Sequence, residues 1–277
     1  MNMLSRSDRI SVIHPLVEGV SVNSIVRMTG ISKVTILKLL LDMGRACLNF
    51  EDARLRGLFC AHVEADEIWS FVHCKDKNVS KVKRPVEQMG DCWTWYAVDR
   101  DSKAIISWIM GDRDVHHAKA LMRDLAWRLE CRPEISTDAL KHYNDAVFDA
   151  FSGNVDYAQV SKVVRTVTNP QGEETESVET VKRPIFGSPH LERTGTSRVE
   201  RANLTLRMTQ RRWTRRTNGH SKSFMHMQAA FALHTCHYNW VRHHMTIGTT
   251  PAKALGVADR EWSMEDLIGL LEEQEQN

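Results

Sequence analysis

The sequence is short of what would place it in a membrane or an oxidising compartment. No apolar run approaches the roughly 20 residues that a bilayer-spanning helix needs, and no apolar leader with a basic start opens the chain. Six cysteines (Cys47, Cys60, Cys74, Cys92, Cys131 and Cys236) are scattered, with no Cys-x-x-Cys pair. That spacing argues for reduced thiols in the cytoplasm and against a zinc finger. His234, Cys236, His237, His243 and His244 fall on different helical faces and meet no standard zinc-ligand spacing. What remains, 277 residues at 42% hydrophobic and 26% charged, suits a soluble globular protein with one large and one small domain.

A net charge of +2 conceals a strong asymmetry. Residues 198–222 hold eight Lys/Arg against the single acid Glu200, whereas residues 255–277 hold one Arg against seven acids. A basic working surface beside an acidic tail suggests a localised nucleic-acid footprint. Read as a helix, the basic stretch puts Val199, Ala202, Leu206, Thr209 and Trp213 on one packing stripe, with Glu200, Leu204, Arg207 and Arg211 on an adjoining face. A lone carboxylate on a cationic helix has two readings: a solvated Glu paired with an Arg one turn away, or a metal ligand beside a phosphate.

From the start of the chain, residues 8–19 predict a helix, Ser21 caps a short second one, and Thr29-Gly30-Ile31 makes a turn. Ser32 then caps a third helix with Ile36, Leu37 and Leu40 inward. Helix, glycine turn and capped helix form a helix-turn-helix pattern that would offer Ser32, Lys33, Thr35 and Lys38 to DNA; the alternative is a small bundle that only packs. This gives a DNA-binding domain over 1–45 and a linker over 46–59, within a polar, helical connector that spans 42–59. Cys60 to Cys74 reads as a strand interrupted by Asp66 and Glu67, either a solvated edge or the floor of an active site. Alternation puts Asp66 on one face with Glu64, and Glu67 on the other. Two further strands, 92–99 and 104–110, form a hairpin ahead of a helix at 116–129 packed through Leu121, Leu125 and Trp127. Residues 134–138 predict a short strand ending in Asp138, which is either a helix cap or a site residue at a strand's carboxyl end in an α/β domain. Residues 155–184 read as a β-hairpin around Asn169-Pro170-Gln171-Gly172 with an acidic tip, inserted in a large domain over 60–245. A helix over 223–241, a loop at 250–252 and a last helix capped by Ser263 and Asp266 complete the chain, with 246–277 as a helical tail.

Asp66, Asp138 and Glu200 together suit one chemistry. Two Mg²⁺ (or Mn²⁺) ions about 4 Å apart, held by carboxylate oxygens, can activate a water or a 3′-hydroxyl and stabilise the leaving oxygen at a phosphodiester. A basic helix would neutralise the phosphates that must approach such acids.

VEADEIWSFV (63–72), STDALKHY (136–143), VERANLTLRMTQRRWTRRTNGHSKSFMH (199–226), HYNWVR (237–242) and TTPAKALGV (249–257) resemble transposases of the insertion-sequence-one type, the InsAB-like proteins. The resemblance covers residues 8 to about 270 and is most specific from Arg198 to Lys222. It implies a ribonuclease-H-like DDE catalytic domain behind an N-terminal helix-turn-helix. Asp66, Asp138 and Glu200 would be the catalytic and metal-binding acids, and Asn203, Arg207 and Arg211 the DNA-facing residues of the third motif. The sequence lacks the Cys-rich finger that often opens such proteins, so recognition of DNA ends would rest on the helix-turn-helix. The activity so implied is binding of terminal inverted repeats, metal-dependent strand cleavage and transfer of the 3′-end to target DNA. It would be carried out by a homo-oligomer in the cytoplasm, on the nucleoid. The alternative is an inactive DNA-binding regulator derived from such an enzyme.

Overall fold

The computed structural model describes residues 4–168 and 174–276; the expected hairpin tip at 169–172 lies outside them. The fold is α/β. Its strands are β1 (His62–Val72), β2 (Gly90–Asp99), β3 (Ile105–Gly111), β4 (Glu134–Asp138), β5 (Asp156–Thr168) and β6 (Glu174–Phe186). They form one mixed six-stranded sheet in the order β3-β2-β1-β4-β5-β6. β1, β2 and β3 pair antiparallel, β4 runs parallel to both β1 and β5, and β6 returns antiparallel along β5. β1 therefore lies inside the sheet, which removes the solvated-edge reading of its two acids.

Helices cover both faces. α4 (Val115–Arg128) and α5 (His142–Phe151) lie on one, where Trp95 meets Tyr143 edge-on at 5.6 Å. α6 (Ser197–Thr209) and α7 (Phe224–Cys236) lie on the other, where Phe231 packs against Tyr96, Trp108 and Trp213. Ahead of the sheet come α1 (Arg6–Val17), α2 (Val22–Thr29) and α3 (Lys33–Arg54). Ser21 and Ser32 cap α2 and α3 as expected, and Gly30 closes α2 at φ 73°, a left-handed position that glycine takes without steric cost. α8 (Pro251–Ala254) is a short helix where a loop is expected, because Pro251 is pre-set for a first helical turn. α9 (Met264–Gln276) starts at the reciprocal Ser263–Asp266 cap and buries Leu267, Ile268, Leu270 and Leu271.

Three expectations change. The connector is helical as expected through Arg54, but it is the unbroken continuation of α3 and buries Ala46, Cys47 and Glu51 instead of being polar throughout. It lies so close to α7 that a Cβ on Gly44 would sit 2.5 Å from the Ala229 Cα. Trp127, expected inward, is 75% exposed, with the Arg56 guanidinium 4.0 Å above its ring. The basic stretch is not one helix: α6 stops at Thr209, Gln210 is extended, and Arg211–Trp213 make a single 3₁₀ turn. The Gln210 amide donates to the Leu16 carbonyl and the Trp213 indole to the Thr94 hydroxyl, so the chain is pulled onto α1 and β2. Trp213 still completes the buried stripe.

Glu51 sits between α3 and α7, accepting from the Thr235 hydroxyl at 2.6 Å and the Asn239 amide at 3.1 Å. Burial pushes its carboxyl up to about 8. A carboxyl raised on folding binds its proton more tightly in the native state, so stability falls as pH rises from the ordinary Glu range through about 8. Glu51→Gln is expected to flatten that slope and to raise the melting temperature at pH 9 while changing little at pH 4. A slope unchanged in thermal melts would mean that Glu51 ionises freely.

Candidate metal centre

The parallel pairing of β1 with β4 aligns Ala65 with Thr137, so the next residues, Asp66 and Asp138, lie side by side. One carboxylate oxygen from each of Asp66, Glu67 and Asp138 lies within 4.8 Å of the others. Asp138 is the last residue of β4 and accepts the Leu140 N–H at 2.9 Å. It does not cap α5, whose N-cap position is Lys141.

Asp66 and Glu67 do face opposite sides of the strand. Asp66 Oδ2 accepts from the Asn203 amide of α6 at 2.7 Å, and Asn203 Oδ1 in turn accepts from the Tyr96 hydroxyl at 2.7 Å. On the other side Glu67 accepts from Arg113 Nε and Nη2 at 2.9 and 2.6 Å and from the Tyr143 hydroxyl at 3.1 Å. The two come together because Asp66 Oδ1 bends along the strand to accept the Glu67 N–H at 2.8 Å.

Glu67 thus has a cation of its own, and among the described residues Asp66 has only neutral donors. Burial first, then the Glu67 charge, push the Asp66 carboxyl up to about 7, and Asp138 and Glu200 act in the same direction. Burial and the Asp138 charge also raise Glu67, against the pull of Arg113. The cluster has more negative charge than its protein partners neutralise. Its donors are hard carboxylate oxygens, the type that Mg²⁺ and Mn²⁺ take, so the residues fit a divalent cation.

α6 is positioned from the floor of the sheet. Buried Glu64 Oε2 accepts the backbone N–H groups of Arg198 at 2.7 Å and Val199 at 3.1 Å, so a side chain of β1 caps the first turn of α6. That turn carries Glu200, whose carboxylate accepts from Lys162 Nζ of β5 at 2.8 Å and from the Thr196 hydroxyl at 3.1 Å. Its partner is therefore a lysine across the sheet, not an arginine one turn away. Glu200 stands outside the 4.8 Å group but is close enough for its charge to raise Asp66.

The residues expected to meet DNA divide into three sets. Ser32, Lys33 and Lys38 are exposed at the start of α3, with Thr35 half-buried and its N–H bonded to the Ser32 hydroxyl. Arg211 is exposed and Arg207 half-buried, with burial and the Arg215 charge pushing the Arg207 guanidinium down. Asn203 is buried and committed to Asp66 and Tyr96. Glu67, Glu64, Arg113 and Tyr143 were not among the residues expected at the site. The adjacent acids at 66 and 67 were visible in sequence, but strand alternation separated them.

Compared with known proteins, the sequence matches no family model and no curated protein. Among the described residues no helix is long and apolar enough to cross a membrane.

Proposed function

We propose that this chain is a DDE-type DNA transposase that binds the terminal repeats of an insertion sequence, cleaves a strand at each end and transfers the 3′-end to target DNA. One observation carries the reading. Asp66 and Asp138 converge from adjacent parallel strands, with Glu200 nearby on a cationic helix. The strand order and directions are compatible with a ribonuclease-H-like catalytic domain. The reading takes α2, Gly30 and α3 as its helix-turn-helix and β5 with β6 as its hairpin insertion.

Asp66, Asp138 and Glu200 would hold Mg²⁺ or Mn²⁺. Such ions supply Lewis-acid activation of a water or 3′-hydroxyl and charge stabilisation at the leaving oxygen. The chain's own groups do the rest. Asn203 and the Glu67 N–H orient the two Asp66 oxygens, and Arg113 with Tyr143 fix the Glu67 carboxylate beside Asp66 and Asp138. Arg207 in the last turn of α6 and Arg211 just beyond the helix bring positive charge for the phosphates of the strand being cut. Pairing two DNA ends requires at least two protomers on one DNA complex.

The Lys162–Glu200 ion pair favours a second reading, a DNA-binding regulator in which the lysine takes the place of a cation. A labelled duplex carrying the DNA that flanks the chain's own reading frame separates the two. Nicking and strand joining are expected with Mg²⁺ or Mn²⁺ and none with EDTA, binding being retained in both. Binding without cleavage under any metal would leave the regulator, and cleavage without joining would leave a nuclease.

A further inference from the structure

A cavity of about 360 Å³ lies between the three N-terminal helices and the segment that follows α6. Its lining brings together Lys33 of α3, Arg211, Arg212, His220, Lys222 and His226 of α7, and among the described residues it includes no Asp or Glu. The start of α2, Ser21 to Asn23, opens on the same space and adds the positive end of a helix. Arg212 is half-buried and has no carboxylate partner among the described residues. Burial alone pushes its guanidinium down to about 10, still charged at neutral pH. The histidines follow the same logic: burial and then Lys222 lower His220, and burial and then Arg212 lower His226. Lys33, Arg211 and Lys222 are exposed and Arg212 is half-buried, so an anion entering the cavity meets four positive charges that no lining carboxylate offsets.

The cluster is held in place from several sides. Gln210 is tied to Leu16, Trp213 to Thr94, and the Ser221 carbonyl accepts the His73 N–H at 2.8 Å where that residue runs beside the end of β1. Lys222 donates to His220, whose ring lies 4.6 Å from that of Phe71. The backbone that carries the cationic groups is therefore set before any ligand arrives, which lowers the ordering cost of binding.

We propose that this cavity is a phosphate-binding site, formed jointly by the N-terminal helices and the basic segment. The phosphate comes from either a nucleic-acid backbone or free phosphate. Only the backbone source rests on the DNA reading above. Were it a backbone phosphate, Lys33 and Arg212 would clamp one point of the strand between α3 and the sheet domain, setting the distance from the bound sequence to the acids.

The test uses the full chain, wild type beside Arg212→Met and Lys222→Gln, and neither arm needs divalent metal or cleavage. In the first arm, sodium phosphate is expected to raise the wild-type melting temperature saturably beyond sodium chloride of equal ionic strength, and both variants to lose most of that rise. In the second, duplex binding is titrated over a range of salt. Arg212→Met is expected to lower the slope of log K against log salt by about 1 if the site holds a backbone phosphate. A phosphate-specific rise with an unchanged slope assigns the site to free phosphate. No phosphate-specific rise together with an unchanged slope overturns the site. Should Arg212→Met fail to fold, Lys222→Gln carries the same two readouts. A protein that never cleaves DNA but shows the phosphate effect retains this site and loses only the catalytic reading.

Discussion

Asp66→Asn is expected to lower metal-dependent strand cleavage by on the order of 10³-fold or more, with duplex binding held within a few-fold. Among the described residues the Asp66 carboxylate, like that of Asp138 and unlike that of Glu67, has no cation of its own. Its replacement keeps the shape and the acceptor for the Glu67 N–H, while the new NH₂ faces that of Asn203 unless the Asn203 amide turns over. Stability should move the opposite way from activity. In the metal-free protein the Asp66 carboxyl ionises near 7 instead of in the usual Asp range, so its charge costs stability as pH rises through that interval. Melts in EDTA at pH 8 should therefore show the variant at or above wild type, and melts at pH 4 should show the two alike. Cleavage that survives would remove Asp66 from the chemistry. Cleavage lost along with tens of degrees of melting temperature would make Asp66 a structural residue.

Glu64→Ala is expected to cost about 3 kcal/mol, a fall in melting temperature of roughly 6–12 °C for a chain of this size. The substitution leaves the Arg198 and Val199 N–H groups at the start of α6 without their acceptor, and Val199 is fully buried. Burial raises the Glu64 carboxyl and Arg100, 4.0 Å away, draws it down, so part of the gain from the two hydrogen bonds is offset by desolvation. Glu64→Gln retains one carbonyl oxygen for the helix and should lose about a third as much. Because Glu200 and Asn203 both ride on α6, cleavage should fall further than global stability explains at a temperature where the variant is folded. An unchanged melting temperature for Glu64→Ala would mean that α6 is placed by its apolar stripe alone.

Much of the site lay open in the sequence because its parts are local. The acids at 66, 138 and 200 could be picked out one by one: two interrupt or end a strand pattern, and the third stands alone among arginines. The stripe from Val199 to Trp213 is buried throughout, although the helix assumed to carry it ends four residues early. A periodic pattern reports which side chains seek the core, and a 3₁₀ turn pinned by an indole hydrogen bond can deliver Trp213 as well as another helical turn could. Trp127 and Glu51 went the other way. An aromatic at helical spacing stayed in solvent under Arg56, and a carboxyl in a stretch that looked polar was buried against α7. Both outcomes depend on what packs opposite, which spacing does not encode.

The sequence by itself therefore determined the strands, the serine caps of α2, α3 and α9, the block of positive charge and the types of the acids. Caps, turns and periodicity act over a few residues and need no knowledge of the rest of the chain. The tertiary structure decided that β1 and β4 lie parallel in a register that sets Asp66 beside Asp138, that Glu67 joins them, and that Glu64 holds the start of α6. It also decided that Lys33 and Arg212, far apart in the chain, line one cavity. Strand register and helix docking are settled by burial across the whole core, so groups more than 100 residues apart meet only once that core is formed.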